Sequence, residues 1–300
     1  MSSRLIIIFS FFSANLLFGQ TTFLATADSL SKKRLIPISI GTSTVWAGSM
    51  VGLSQVWYKD YDKTSFHTFN DGANWLQMDK AGHVYTNYQI SQFAGNLYKW
   101  SGMKSNNAAV IGTGIGLGFQ TTLEIFDGFS SGWGFSWYDM SSNALGAGIY
   151  LGQELAWKEQ RFLLKFSYHP TEFAALRPEV LGSNFQERFL KDYNGQTYWV
   201  SFNPFLFTKN TSIPKWICLS FGYSVNQKIV GDQETYVDPI SLISYSSQRE
   251  FIFSLDIDFS RIPVQKKWLK TVLKQLNYLK IPFPALIIRD GKLIGAPIYF

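Results

Sequence analysis

The chain is poor in several things that enzyme chemistry commonly draws on. Cysteine occurs once in 300 residues, at Cys218, and histidine three times. A single cysteine excludes an intrachain disulfide, and Cys218 in its apolar, strand-like run reads as a buried structural thiol. No HExxH and no cysteine–histidine arrangement is present, so these hydrolase signatures are missing. Charge is also scarce. Charged residues make up 16% of the chain, where soluble domains carry about 25%. Aromatic residues reach 17%, and that excess over charge fits a chain that meets a bilayer, where such rings anchor at the interface. The net charge of +6 is modest. Its two clusters, Lys32-Lys33-Arg34 and Lys266-Lys267, lack the aromatic interleaving of a nucleic-acid groove, so nucleic acid is not expected as a partner. They suit anionic headgroups or plain solvated surface equally. Membrane lipid is the expected partner, with an envelope protein as a further one.

The N-terminus has the layout of an export signal. Arg4 precedes the apolar run Leu5 to Phe12, which is short for a membrane span. Residues 1–20 are expected to be removed, near Gly19 or Gln20. No cysteine follows the apolar run, so a lipid anchor is not expected there. Export places the protein at the outer membrane or the periplasmic membrane surface of a Gram-negative cell.

Residues 35–58 contain no charged side chain until the segment ends. The length suits a span, although the hydroxyls and glycines make it only weakly lipophilic. Pro37 suits the start of this first helix. Further helices are expected over 79–100, 106–126 and 136–157, with Asp79 capping the second. Gly112/Gly116 and Gly114/Gly118 repeat every four residues, as do Gly148 and Gly152, which allows close helix packing. The glycines lack the GxGxxG spacing of a nucleotide loop, and no cofactor is expected. From residue 159 the pattern changes to strands at 162–168, 197–202, 216–223 and 250–259. In the last, Phe251, Phe253, Leu255, Ile257 and Phe259 share one face, opposite Ser254, Asp256 and Asp258. This alternation fits a half-buried antiparallel sheet or a lipid-facing strand. Residues 264–279 read as an amphipathic helix, and 281–300 as an extended hairpin. The expected fold is therefore α+β. A helical bundle of about four helices (35–158) precedes an antiparallel strand-rich region with one amphipathic helix (159–300).

Ionisable groups on apolar helices are costly to bury, so they pair or mark a site. Asp79 and His83 stand one turn apart, Glu124 and Asp127 three residues apart, and Asp139 and Asn143 four apart, so each pair lies on one helix face. Gln153-Glu154 forms a fourth polar cluster. Asp79, His83, Glu124, Asp127, Asp139 and Asn143 are the candidate catalytic residues, and His83, Glu124 and Asp139 the candidate metal ligands. Each pair alone is equally a helix cap or a register-fixing polar contact. Their combination on three successive helices points to one shared interior site. His169 with Arg177 reads as a loop hydrogen-bonding cluster.

Several motifs carry a resemblance. Trp57-Tyr58-Lys59, Ser65-Phe66-His67, Asp71, Trp75 to Lys80, Gly82-His83, Glu124 to Ser130, Trp133 to Ser136, Asp139, Asn143 and Gly146 resemble the YfiM-like family of predicted periplasmic lipoproteins, domain of unknown function 2279. Gly152-Gln153-Glu154, Glu159 to Arg161, Arg177-Pro178, Leu181-Gly182 and Lys191 to Trp199 are similar to a longer version of that family in the Bacteroidetes lineage. The order Asp79-Lys80, His83, Glu124, Asp139, Asn143, Gly146 is also similar, more weakly, to VanZ-like membrane proteins. These resemblances imply an envelope protein with a membrane-embedded polar cluster, and supply no substrate. The leading expectation is an exported, membrane-associated envelope protein whose cluster is structural or binds a lipid-linked group. The alternatives are a hydrolase or transferase on lipid or cell-wall precursor headgroups, and a partial-barrel outer-membrane protein. Whether the protein is an enzyme stays open at this level.

Overall fold

The computed structural model describes residues 23–58, 61–208 and 213–300. The expected export signal, residues 1–20, lies outside them. Helix α1 (Lys32–Leu53) runs into a π turn at Ser54–Tyr58. It starts three residues before the expected boundary, so Pro37 sits in its second turn instead of at its start. Only Ile38 and Met50 of α1 are buried, while Ile36, Ile40, Val45 and Val51 are exposed. Helices α2 (Met78–Trp100), α3 (Ser105–Gly128) and α4 (Trp137–Trp157) pack on one another. Close approach requires the absence of side chains at two points. A Cβ on Gly112 would run into the Ser91 carbonyl, and one on Gly146 into the Val84 carbonyl. Gly148 and Gly152, by contrast, face open space, so the second glycine repeat is not a packing seam. Asp79 is not a cap either. The residue before α2 is Gln77, at φ 63°, and it makes no side-chain cap. Lys80 holds the Asp79 carboxylate instead.

The second half is an antiparallel strand-rich region, so the chain as a whole is α+β as expected. Strands β1 (Phe162–Tyr168), β2 (Gln196–Phe202), β3 (Ile217–Asn226), β6 (Gln248–Ile257), β7 (Phe283–Arg289) and β8 (Lys292–Tyr299) form one antiparallel sheet in that order. Short β4 (Thr235–Val237) and β5 (Ser244–Ser246) pair separately, and helices α5 (Pro178–Leu181) and α6 (Phe185–Lys191) fill the β1–β2 connection. The amphipathic helix is α7 (Lys267–Leu276).

The sheet is rolled. Strands in a flat sheet lie about 4.8 Å apart, so a residue three strands away is roughly 14 Å distant. Yet Lys165 Nζ on β1 lies 2.8 Å from Asp256 Oδ2 on β6, three strands along. Thr197 on β2 and Tyr299 on β8 bring their hydroxyls within 3.1 Å. The outer edge of β1 also closes onto the segment leading to β7. Phe166 N–H donates to the Tyr278 carbonyl at 3.2 Å, and Lys280 N–H to the Phe166 carbonyl at 2.9 Å.

The inside of the roll holds buried polar groups as well as an apolar cluster. Lys165 and Asp256 have side chains of 0% exposure, and Ser201 donates to Asp256 at 2.7 Å. Cys218 is buried among them, as a structural thiol would be. Trp199, Ile252, Ala285 and Ile287 form the apolar part. The outside carries Leu219 and Phe221 of β3, Phe251, Phe253 and Leu255 of β6, and Leu286 and Ile288 of β7, all exposed. The alternation is as the sequence predicts, with the apolar face outward. Helix α2 covers the β1–β2 end of that outer face. There Tyr85 of α2 packs against Phe166 and Tyr198, and Gln89 donates to the Leu164 carbonyl at 2.6 Å.

Candidate functional site

Helices α2, α3 and α4 each turn polar side chains into their common interior. Lys80 of α2 is the central cation. Its Nζ lies 2.6 Å from Asp71 Oδ2, 2.9 Å from Asp79 Oδ2 and 2.7 Å from Asp139 Oδ1. One turn on, His83 Nδ1 lies 3.0 Å from Asn143 Oδ1 of α4. Gln120 of α3 donates to the same oxygen at 3.2 Å. Because that oxygen only accepts, His83 carries a proton on Nδ1 and its Nε2 points the other way. There Nε2 meets three carboxylates: Asp79 Oδ1 at 3.7 Å, Glu124 Oε1 at 3.7 Å and Asp139 Oδ1 at 3.6 Å.

The start of α4 locks this arrangement. Ser136 caps the helix by accepting from the Asp139 N–H at 3.1 Å. Its hydroxyl donates to Asp71 Oδ1, and its backbone N–H donates to Glu124 Oε2 at 3.2 Å. Tyr193, from the turn before β2, donates to Asp79 Oδ1 at 3.2 Å. The strand-rich half therefore touches the helical site. Burial would lower the Lys80 ammonium, but the Asp79 and Asp139 carboxylates hold it above its ordinary value. His83 is likewise raised, because Asp79, Asp139 and Glu124 outweigh its burial. Asp79 is held below the usual carboxylate range against its burial by His83 and Lys80. Burial and the Asp79 charge push Asp139 up to about 7.

Five of the six expected residues meet: Asp79, His83, Glu124, Asp139 and Asn143. Asp127 does not join them. Its Oδ1 accepts from the Tyr58 hydroxyl at 2.6 Å, tying α3 to the turn after α1. Three residues after Glu124 is about 60° off its helix face, and Tyr58 is what lies there. Gln153-Glu154 is also separate. Glu154 pairs with Lys99, and Gln153 Oε1 accepts from the N–H groups of Arg161 and Phe162 at the start of β1. Arg177 pairs with Glu179, and His169 Nδ1 is buried with no hydrogen bond among the described residues, so the two do not bond to each other there. Asp71, Gln120, Ser136 and Tyr193 belong to the site although spacing did not single them out. Gln120 had a signal, since it stands one turn before Glu124 on the same face.

The site lies within a recognisable segment. Residues 67–152 match the predicted periplasmic lipoprotein family, DUF2279. This segment covers α2, α3 and most of α4, and every site residue except Tyr193. That description supports the exported, envelope location expected from the N-terminus. The VanZ-like likeness receives no support. No curated protein and no solved structure matches the chain. The DUF2279 segment therefore brings an envelope location and no known chemistry.

Proposed function

We propose that this is an envelope protein that seats its rolled sheet and α1 against the hydrocarbon of a membrane, the outer membrane being the expected one, and carries a polar centre between its helices. The observation behind this is the inverted sheet. An ion pair lies inside at 0% exposure while Leu219, Phe253 and Leu286 face out at 42%, 39% and 50%. In water that arrangement costs free energy on both faces, whereas apolar-out and polar-in is the pattern of outer-membrane strands. Helix α7 supports the same reading, with Trp268, Val272 and Leu276 exposed on one side and lysines elsewhere. A groove of about 440 Å³ between α4 and β1–β2, lined by Ile149, Trp157, Phe162, Leu164 and Val200, has the size and lining for an acyl chain.

The test is fractionation of the native protein followed by alkaline carbonate washing. The protein is expected in the washed membrane pellet, and recovery of the whole population as soluble periplasmic protein overturns the reading. A second reading is a hydrolase or transferase on lipid or precursor headgroups. Glu124 Oε1, buried beside His83 with no hydrogen bond among the described residues, favours it. Loss of headgroup turnover in His83→Gln, with membrane seating intact, is its test.

A further inference from the structure

We propose that Asp79, His83, Glu124 and Asp139 bind a divalent first-row cation of the zinc or manganese class. Four acceptor atoms gather around the imidazole, two of which also take Tyr193 or Lys80 as a donor. They are His83 Nε2, Asp79 Oδ1, Glu124 Oε1 and Asp139 Oδ1. His83 Nε2 stands 3.6–3.7 Å from each oxygen. The donor atoms of Asp79, His83 and Asp139 all lie within 4.8 Å of one another. The three His83–oxygen separations exceed the roughly 3 Å of an N–H···O bond, so a proton on Nε2 bonds none of these oxygens at that distance. Metal bonds of about 2.0–2.2 Å at tetrahedral angles put ligand atoms roughly 3.3–3.6 Å apart, close to the separations of His83 Nε2 from the three oxygens.

An independent observation points the same way. Glu124 is 1% exposed, and its Oε1 has no hydrogen-bond partner among the described residues. A buried carboxylate oxygen without a donor is costly. Its other oxygen is held by the Ser136 N–H, which aims Oε1 at the gap. The imidazole is oriented as metal-bound histidines are, with the second ring nitrogen donating to a fixed acceptor, here Asn143. Charge agrees as well. Asp71, Asp79 and Asp139 share the single Lys80, and Glu124 adds a fourth carboxylate beside His83. One imidazole and three carboxylates suit zinc, manganese or iron(II) better than soft-ligand metals, and the nitrogen disfavours magnesium or calcium. The inference goes beyond the membrane reading and does not depend on it.

The test uses the full-length protein, stripped with chelator and dialysed against Zn²⁺ alone or Mn²⁺ alone. Metal per chain is measured by mass spectrometry, and pulsed EPR of the Mn²⁺ form reads nitrogen coupling. One equivalent and a nitrogen coupling are expected. Glu124→Gln, which keeps the side-chain shape, should weaken binding by at least about tenfold, and Asn143→Ala, a positioning change, by about 10–100-fold. His83→Gln should abolish the nitrogen coupling, and Asp127→Asn should bind as wild type does. Wild-type protein that retains no metal, a Mn²⁺ form without nitrogen coupling, or Glu124→Gln binding as tightly as wild type each overturns the proposal. The first two readouts need no variant to fold.

Discussion

Replacing Lys80 by methionine probes the helical centre most sharply. The ammonium lies within 2.9 Å of three carboxylates, those of Asp71, Asp79 and Asp139. Methionine keeps most of the stem and removes the charge, so three acids are left with no cation on that side. Breaking a buried pair by removing one partner costs about 3–5 kcal/mol. The Asp71 and Asp79 side chains keep some solvent contact, at 14% and 25% exposure, which sets the expectation at the lower end, about 3 kcal/mol. Urea unfolding of the purified protein in detergent reads this as a fall in midpoint at constant slope. The informative arm is Asp139→Asn. Alone it removes the Lys80 partner and should destabilise. In the Lys80→Met background it removes a like charge and should stabilise or do nothing, because members of one network do not add. A Lys80→Met midpoint within about 0.5 kcal/mol of wild type, or the same Asp139→Asn effect in both backgrounds, refutes the reasoning.

Three further outcomes follow from the rolled sheet. Lys165→Met should cost about 3–5 kcal/mol in the same unfolding assay, and the Lys165→Met/Asp256→Leu pair less than that, because the lone charge is then gone. Burial inside the roll lowers the Lys280 ammonium to about 8. Its unfolded value is about 10.4, so the unfolded chain binds the extra proton between those limits and stability should rise with pH across that window. Lys280→Met should flatten the unfolding midpoint measured from pH 8 to pH 10. Lys266→Glu with Lys267→Glu should weaken binding to anionic vesicles by about 1 kcal/mol or more per residue, read by vesicle flotation.

Much of this architecture was legible in the residues, for identifiable reasons. Helices α2 to α4 stand out because long stretches with few charges are bounded by polar caps and glycines. The pairs Asp79/His83 and Asp139/Asn143 were visible because a spacing of four fixes a common face. The period-2 alternation of β6 was equally plain. It defines two faces, however, and does not say which is inside. That depends on Lys165, ninety residues earlier, meeting Asp256 across the roll. Asp71 and Tyr193 escaped because they come from turns, where no periodicity marks direction. Asp79 looked like a cap because its position suits one, and the adjacent Lys80 outcompetes the backbone for its carboxylate.

The outward apolar face is the centre of the account, and spin labelling measures it directly. Single nitroxide labels at Leu219, Phe253 and Leu286, each introduced as cysteine in a Cys218→Ser background, are compared in reconstituted vesicles for collision with oxygen and with a water-soluble nickel chelate. Greater access to oxygen than to nickel at all three positions is the predicted result. Free access of the nickel chelate to Phe253 and Leu286 in vesicle-bound protein would contradict it.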